Sequence, residues 1–347
     1  MEKKVKWGVI GSGGIAQRRT IPEGIVPSEY ADLVAVYDVN QETNSAVATG
    51  YNAKASASFD ELLESGIDIV YIASPANMHF EQVMACARAK KHVFCEKPLG
   101  LTVEQAEEMI KVCKEEGVLF GTGFMMRFHQ YHQAALKLIS KGDLGKLVYG
   151  RAQLSCWYPA ILGAWRQDPK LGGGGSLMDM GSHCIDLLEM FFGKVERVHC
   201  FINNTVHKYK SEDSAIVSLF FENGAMATVD TFFCIPDNSS KNILELYGSK
   251  GSILAQGTIG QGDSGEMVAW LEDNYAGYDA VQARTSGDGI AIMPEPANTY
   301  LAEIDEFSQA ILENREPKNS AVIGLQSQKV LAACYLSASI GQTVKIR

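Results

Sequence analysis

Short apolar runs alternate with amphipathic stretches from Val5 to about Phe124. Strands that are apolar on both faces and separated by helical spacing are what a parallel sheet wound by crossover helices requires. The pattern predicts strands at Val5 to Ile10, Leu33 to Tyr37, Ile67 to Ala73, His92 to Cys95 and Val118 to Gly121, with a weak one at Ala53 to Ala55. Helical spacing runs through Gln41 to Thr49, Phe59 to Glu64, Asn77 to Ala89 and Val103 to Glu116. Thr102 with Gln105 is expected to make a capping box for the last of these.

Beyond Arg127 the rhythm changes. A helix from Gln130 to Ser140 gives way to alternating segments around Leu147 to Trp157, Val195 to Val206, Ala215 to Phe221, Ala225 to Phe233 and Asn242 to Tyr247. Strands following one another without helices between them indicate a mostly antiparallel sheet with one face packed on helices. Gly257 to Asp288, rich in Gly, Asp and Ser, reads as a long surface excursion, and helices follow at Thr299 to Asn314 and Gly324 to Gly341. The expected fold class is therefore α/β: a Rossmann-type doubly wound parallel sheet over residues 1–125, then a unit over 126–347 with an open antiparallel sheet, whose last helix packs back on the first unit.

Composition narrows the possibilities. A chain of 347 residues is long for one core, which favours two domains. The net charge of -10 argues against a nucleic-acid binder, since that affinity rests on clustered cations. Eight cysteines without a C-x-x-C pair write neither a zinc ribbon nor a redox dithiol, and fit buried thiols in a reducing cytoplasm. Glycines interrupt the first apolar run, so neither a signal peptide nor a membrane span is expected.

The candidate chemistry sits in three blocks. Gly11-Ser12-Gly13-Gly14-Ile15-Ala16 follows the first strand and opens a helix, the context in which G-x-G-x-x-A cradles a pyrophosphate on free N–H groups. Asp38 ends the second strand, where a carboxylate accepts from ribose hydroxyls and repels a 2'-phosphate; this favours NAD, while Arg18 and Arg19 leave NADP open. Ser74-Pro75-Ala-Asn77-Met-His79 follows the fourth strand, beside the glycine loop if the strand order reverses there, so Ser74, Pro75, Asn77 and His79 are candidate cofactor contacts; Asn77 alternatively caps the next helix.

Glu96-Lys97-Pro98 follows the fifth strand, placing an amine where it can steady a developing alkoxide. In Gly172-Gly-Gly-Gly175-Ser-Leu-Met-Asp179-Met-Gly-Ser-His183, Asp179 and His183 share a helix face at i, i+4, a proton shuttle with a carboxylate to orient it or to bind a substrate hydroxyl. The glycines before them allow close approach of backbone to ligand. A zinc site using Asp179, His183 and Asp186 lacks a third His or Cys at helical spacing, so no metal is expected.

These blocks together resemble the glucose-fructose oxidoreductase, inositol dehydrogenase and MocA family over essentially the whole chain. The resemblance implies a Rossmann domain, a C-terminal α/β domain whose open sheet joins homodimers or homotetramers, and a sugar or polyol substrate. It implies catalytic roles for Lys97, Asp179 and His183, a cis peptide before Pro98, and a cofactor and substrate pocket lined by Arg127 on the cofactor side and by Trp165 and Arg166 on the substrate side. The expected activity is NAD-dependent hydride transfer at a CH–OH carbon. Redox-assisted glycoside cleavage with recycled cofactor and a non-catalytic NAD-binding regulator are the alternatives.

Overall fold

The computed structural model describes residues 3–272, 280 and 287–347. Six parallel strands form the first sheet: β1 (Val5–Ile10), β2 (Ala31–Tyr37), β3 (Lys54–Ala55), β4 (Ile69–Ile72), β5 (His92–Glu96) and β6 (Phe120–Gly123), in the order β3-β2-β1-β4-β5-β6. All four residues of β4 are buried, as a strand covered on both faces must be. The crossovers include α1 (Gln41–Gly50), α2 (Phe59–Leu63), α3 (Ala76–Arg88) and α4 (Val103–Glu115). Asn40, Ser58 and Thr102 cap α1, α2 and α4 through their side chains. The expected capping box at α4 is only half present: Gln105 N–H donates to Thr102, but the Gln105 side-chain oxygen accepts from Leu101 N–H, one residue before the cap.

The first crossover, Ala16–Ile25, is wound as a π-helix. Pro22 within it has no N–H, so the ordinary α-helical ladder cannot run through, and Val26 N–H reaches back five residues to the Ile21 carbonyl.

Among the described residues the second sheet has nine strands: β7 (Leu147–Ser155), β8 (Val195–Asn203), β9 (Ser214–Phe221), β10 (Met226–Phe232), β11 (Ile243–Gly248), β12 (Gly251–Gln256), β13 (Glu266–Leu271), β14 (Ile290–Ala291) and β15 (Val344–Lys345). Every pairing is antiparallel except β7 with β10. The later helices are α5 (Gln130–Lys141), α6 (Pro169–Gly172), α7 (Ser182–Phe192), α8 (Thr299–Glu313) and α9 (Ala321–Ile340). The fully buried α7 face meets the sheet at Gly150, where a Cβ would stand 2.7 Å from the Phe192 ring.

The expected excursion from Gly257 to Asp288 is corrected: β13 lies inside it and pairs with β12, itself joined to β11 by a two-residue turn. Gly and Asp on both sides of the six-residue β13 hide it in the sequence, although Met267 and Ala269 alternate inward. Residues 273–279 and 281–286 of that expectation lie outside the described residues.

Helix α8 covers the first sheet. Phe307 packs edge-on against Phe94 at 5.1 Å and Trp7 at 6.4 Å, while Trp7 Nε1 donates to Ser308 Oγ at 3.1 Å. Gly121 makes the space, since a Cβ there would lie 2.3 Å from the Phe307 ring. Helix α9 meets Leu99 and Thr122 at Gly324 and reaches β8 through Ser337, which accepts from Cys200 N–H. Among the described residues, no helix is long and apolar enough to cross a membrane.

Phe307 is fully buried, so Phe307→Ala leaves a cavity between α8 and the sheet. The expected loss is about 3–5 kcal/mol, read from the denaturant midpoint. A shift below about 1 kcal/mol shows that α8 does not hold this layer.

Candidate active site

The glycine loop is shaped by contacts that only glycine tolerates. Gly11 has φ 75°, and a Cβ on it would lie 2.6 Å from the Ser74 backbone nitrogen, so β1 and β4 close together at the point where strand order reverses. Gly13 N–H donates to Asp38 Oδ2 at 3.1 Å, and Asn40 N–H to Asp38 Oδ1 at 2.9 Å. Ser12 is fully buried with its hydroxyl unpartnered, an orphan donor beside the loop. A loop open to backbone contact, an unpaired hydroxyl and a carboxylate at the end of β2 fit a dinucleotide.

Beyond β4, Ser74 Oγ donates to Gln82 Oε1 at 2.5 Å, and Pro75 occupies the cap position of α3. Asn77 therefore stands inside the first turn and does not cap the helix. His79 was expected to touch the cofactor and is corrected to a brace. It is 1% exposed, and its two ring nitrogens lie 2.8 Å from the carbonyls of Ser74 and Pro98.

The Lys97–Pro98 peptide is cis. Lys97 Nζ donates to both the backbone oxygen and Oδ1 of Asp179, each at 2.7 Å, while Arg166 Nε donates to the same Oδ1 at 2.9 Å. Burial alone would raise the Asp179 carboxyl, but Arg166 and Lys97 together outweigh it and hold the group well below the usual carboxylate range. His183 is 7% exposed, with the Phe124 ring edge-on at 5.7 Å. Burial first, then the positive charge of Lys97, push its imidazole well below the ordinary histidine range, so the ring is neutral.

No hydrogen bond joins Asp179 and His183 among the described residues, and His183 Nδ1 is buried without a partner. The backbone is π-wound over Leu177–Gly181 and becomes α-helical at Ser182, and the Asp179 carboxylate serves the two cations rather than the imidazole.

Lys97, Asp179, His183, Trp165 and Arg166 line one cleft of about 330 Å³ together with Ile15, Ser74 and Glu96. Arg166 stacks its guanidinium 4.1 Å from the Trp165 ring centroid. Arg127 does not join them. It forks onto Asp186, with Nε 2.8 and 2.9 Å from the two carboxylate oxygens, which corrects its expected place at the cofactor and leaves Asp186 an ion-pair partner.

The glycine run also differs from expectation. A Cβ on Gly174 would stand 1.8 Å from Tyr335 Oη and one on Gly175 2.0 Å from the Glu212 carbonyl, so the close approach is to protein and not to ligand. Glu212 Oε1 gathers Gly175 N–H at 2.8 Å, Leu177 N–H at 3.0 Å and Tyr335 Oη at 2.9 Å, bracing the turn that carries Asp179. Sequence reasoning missed Glu212. It also missed Ser155, Asp237 and Asn242, which line the cleft from the end of β7 and the β10–β11 connection. The polar cluster Asp237-Asn-Ser-Ser-Lys-Asn242 between two strands was the available signal.

Residues 5–124 match an oxidoreductase family with an NAD-binding Rossmann fold, and residues 132–254 match the GFO/IDH/MocA C-terminal domain. The chain is 31% identical to the myo-inositol 2-dehydrogenase of Thermotoga maritima, across 91% of this chain and 99% of the relative. It is 27% identical to the 1,5-anhydro-D-fructose reductase of Ensifer adhaerens, across 98% of each. The crystal structure of the aldose-aldose oxidoreductase from Caulobacter crescentus superposes with a TM-score of 0.88 at 26% identity, covering 99% of this chain and 100% of that one. With both halves matched in order, the chain belongs to the GFO/IDH/MocA family of NAD-binding oxidoreductases.

Proposed function

We propose that this protein is an NAD-dependent dehydrogenase or reductase that moves a hydride at a CH–OH carbon of a sugar, cyclitol or related polyol. The observation that carries the reading is the Lys97 ammonium held 2.7 Å from Asp179, in one cleft with a neutral His183. When bound, NAD supplies the hydride acceptor or donor. The glycine loop, Ser12 and Asp38 would hold its pyrophosphate and adenosine ribose, and Ser74 and Glu96 would line its nicotinamide end.

Lys97 hydrogen-bonds the substrate oxygen and stabilises negative charge as it develops there. Asp179 holds the amine in place and aims it, and Arg166, sharing the same carboxylate oxygen, leaves the triad with a net positive charge. Neutral His183 has a lone pair for the hydroxyl proton during oxidation and returns that proton during reduction. Trp165 and the polar Ser155, Asp237 and Asn242 give a hydroxylated ring both a flat wall and hydrogen-bond partners. The intact amine, carboxylate and imidazole set argues against a purely regulatory role, which needs none of them.

Lys97→Ala is expected to lower turnover by roughly 10²–10⁴-fold, with NAD affinity held within a few-fold. Unchanged turnover on a panel of cyclitols, aldoses and anhydro-sugars removes Lys97 from the mechanism. At Asp38, removing the carboxylate as Asp38→Ala relieves a like-charge cost of about 1–4 kcal/mol against a 2'-phosphate. The ratio of NADP to NAD dissociation constants should fall by about fivefold or more, and an unaltered ratio places cofactor choice elsewhere.

Because burial and Lys97 both disfavour the imidazolium, His183 stays uncharged down to a pH well under its ordinary midpoint. Nitrogen chemical shifts of His183 should thus report a neutral ring at about pH 6, and Lys97→Met should move its titration upward. A normal histidine titration in the parent protein contradicts this. Phe201, Ile216 and Met226 stand exposed on the outer face of the second sheet and support assembly into a homodimer or homotetramer, which sedimentation would reveal and a monomer at working concentration would refute.

A further inference from the structure

Two carboxyl groups line the cleft in opposite circumstances. Asp179 takes both Lys97 and Arg166, whereas Glu96, next to Lys97 in the chain, has no ion pair among the described residues. Its Oε1 accepts from Tyr71 Oη at 2.6 Å, and Tyr71 Oη in turn lies 3.0 Å from Thr20 Oγ1. Gly123 leaves the carboxyl its space, since a Cβ there would stand 3.0 Å from it.

We propose that Glu96 holds a proton in the free protein and releases it to solvent when the cationic nicotinamide of NAD+ enters the cleft, while NADH, whose ring is neutral, binds with Glu96 protonated. This rests on the NAD-dependent reading above and goes beyond it. Among the described residues, titratable and charged groups face Glu96 from several elements. Tyr71 from β4 and Tyr300 and Glu303 from α8 are neutral or acidic, and Cys95 is its buried strand neighbour. Lys97 and Arg166 supply positive charge, but both are committed to Asp179.

Burial, the strongest influence, raises the Glu96 carboxyl above its ordinary value, and the hydrogen bond from Tyr71 and the charges of Lys97 and Arg166 only partly offset it. Glu303 is 2% exposed with Oε1 unpartnered and is itself held well above the usual range, so a second negative charge in this pocket is strongly disfavoured. A fixed positive charge brought into the cleft reverses the balance for Glu96. The protons also balance over the reaction. Oxidation of CH–OH sends hydride to the nicotinamide and frees one proton, and Glu96, no longer facing a cation, takes one up.

Calorimetric titration of the whole protein with NAD+ and with NADH, from about pH 5.5 to 9 in buffers of different ionisation enthalpy, tests this. Below the free protein's Glu96 midpoint, NAD+ affinity should rise with pH, approaching tenfold per unit, with matching proton release; above it the slope should vanish. NADH affinity should stay flat, and the titrations of adenine and phosphate cancel because both forms share them. Glu96→Gln should flatten the NAD+ profile, whereas Lys97→Met, which takes away one of the charges that lower the Glu96 carboxyl, should keep the slope and move its inflection to higher pH. Tyr71→Phe, which removes a donor to the carboxylate, should move the inflection to higher pH and so reports on Glu96 if the Gln variant does not fold. Identical proton counts for NAD+ and NADH, or a difference lost with Lys97→Met and kept in Glu96→Gln, overturns the proposal. Failure of either dinucleotide to bind would instead overturn the functional reading itself.

Discussion

The Asp179 carboxylate is where the two sheets meet chemically. Lys97 arrives from the end of β5 in the first sheet, while Asp179 and Arg166 belong to the chain between β7 and β8 of the second. With the Lys97 side chain 9% exposed and that of Asp179 22% exposed, either charge alone would be costly to enclose. Each therefore requires the other in place, and the relative position of the two sheets is specified by an ion pair as well as by apolar packing. Glu212 and Tyr335 extend the same constraint, because they fix the glycine-rich turn from which Asp179 projects.

That ion pair also sets the charge state of its neighbours. Two cations share one carboxylate, leaving a net positive charge that favours an alkoxide and opposes an imidazolium. The neutrality of His183 follows from the placement of Lys97 and from burial together, so protonation states that look independent along the chain are linked in the cleft.

Legibility in the sequence followed how local the determining contacts are. The parallel sheet was readable because strands such as β4 are apolar throughout and its helices carry their own caps. Blocks whose backbone geometry demands glycine or a strand end, Gly11 and Lys97 among them, pointed to the cleft for the same reason. What failed were readings that depend on a distant partner. Arg127 resembled a cofactor ligand until Asp186 was found across from it, and the glycines before Asp179 resembled a ligand surface until Tyr335 and Glu212 filled the space. β13 escaped because its support is its pairing with β12, not its six residues. His79 was placed in the right neighbourhood, but its role is set by two backbone carbonyls that no local pattern announces.

Glu96 and Asp179 show how one cleft can give two carboxyl groups different work. Opposite charge within hydrogen-bond reach makes Asp179 a permanent anion, whereas a phenol partner and an enclosed, acid-rich surrounding make Glu96 reluctant to ionise. A group of the first kind suits positioning, since its charge does not change as the reaction proceeds. A group of the second kind responds to any change of charge nearby, and hydride transfer to a cationic ring is such a change. Their assignment does not come from residue type, because both are carboxylates, nor from distance to Lys97 alone, because Glu96 is its neighbour in the chain. It comes from the direction in which the Lys97 side chain leaves the strand, toward the second sheet and away from its own.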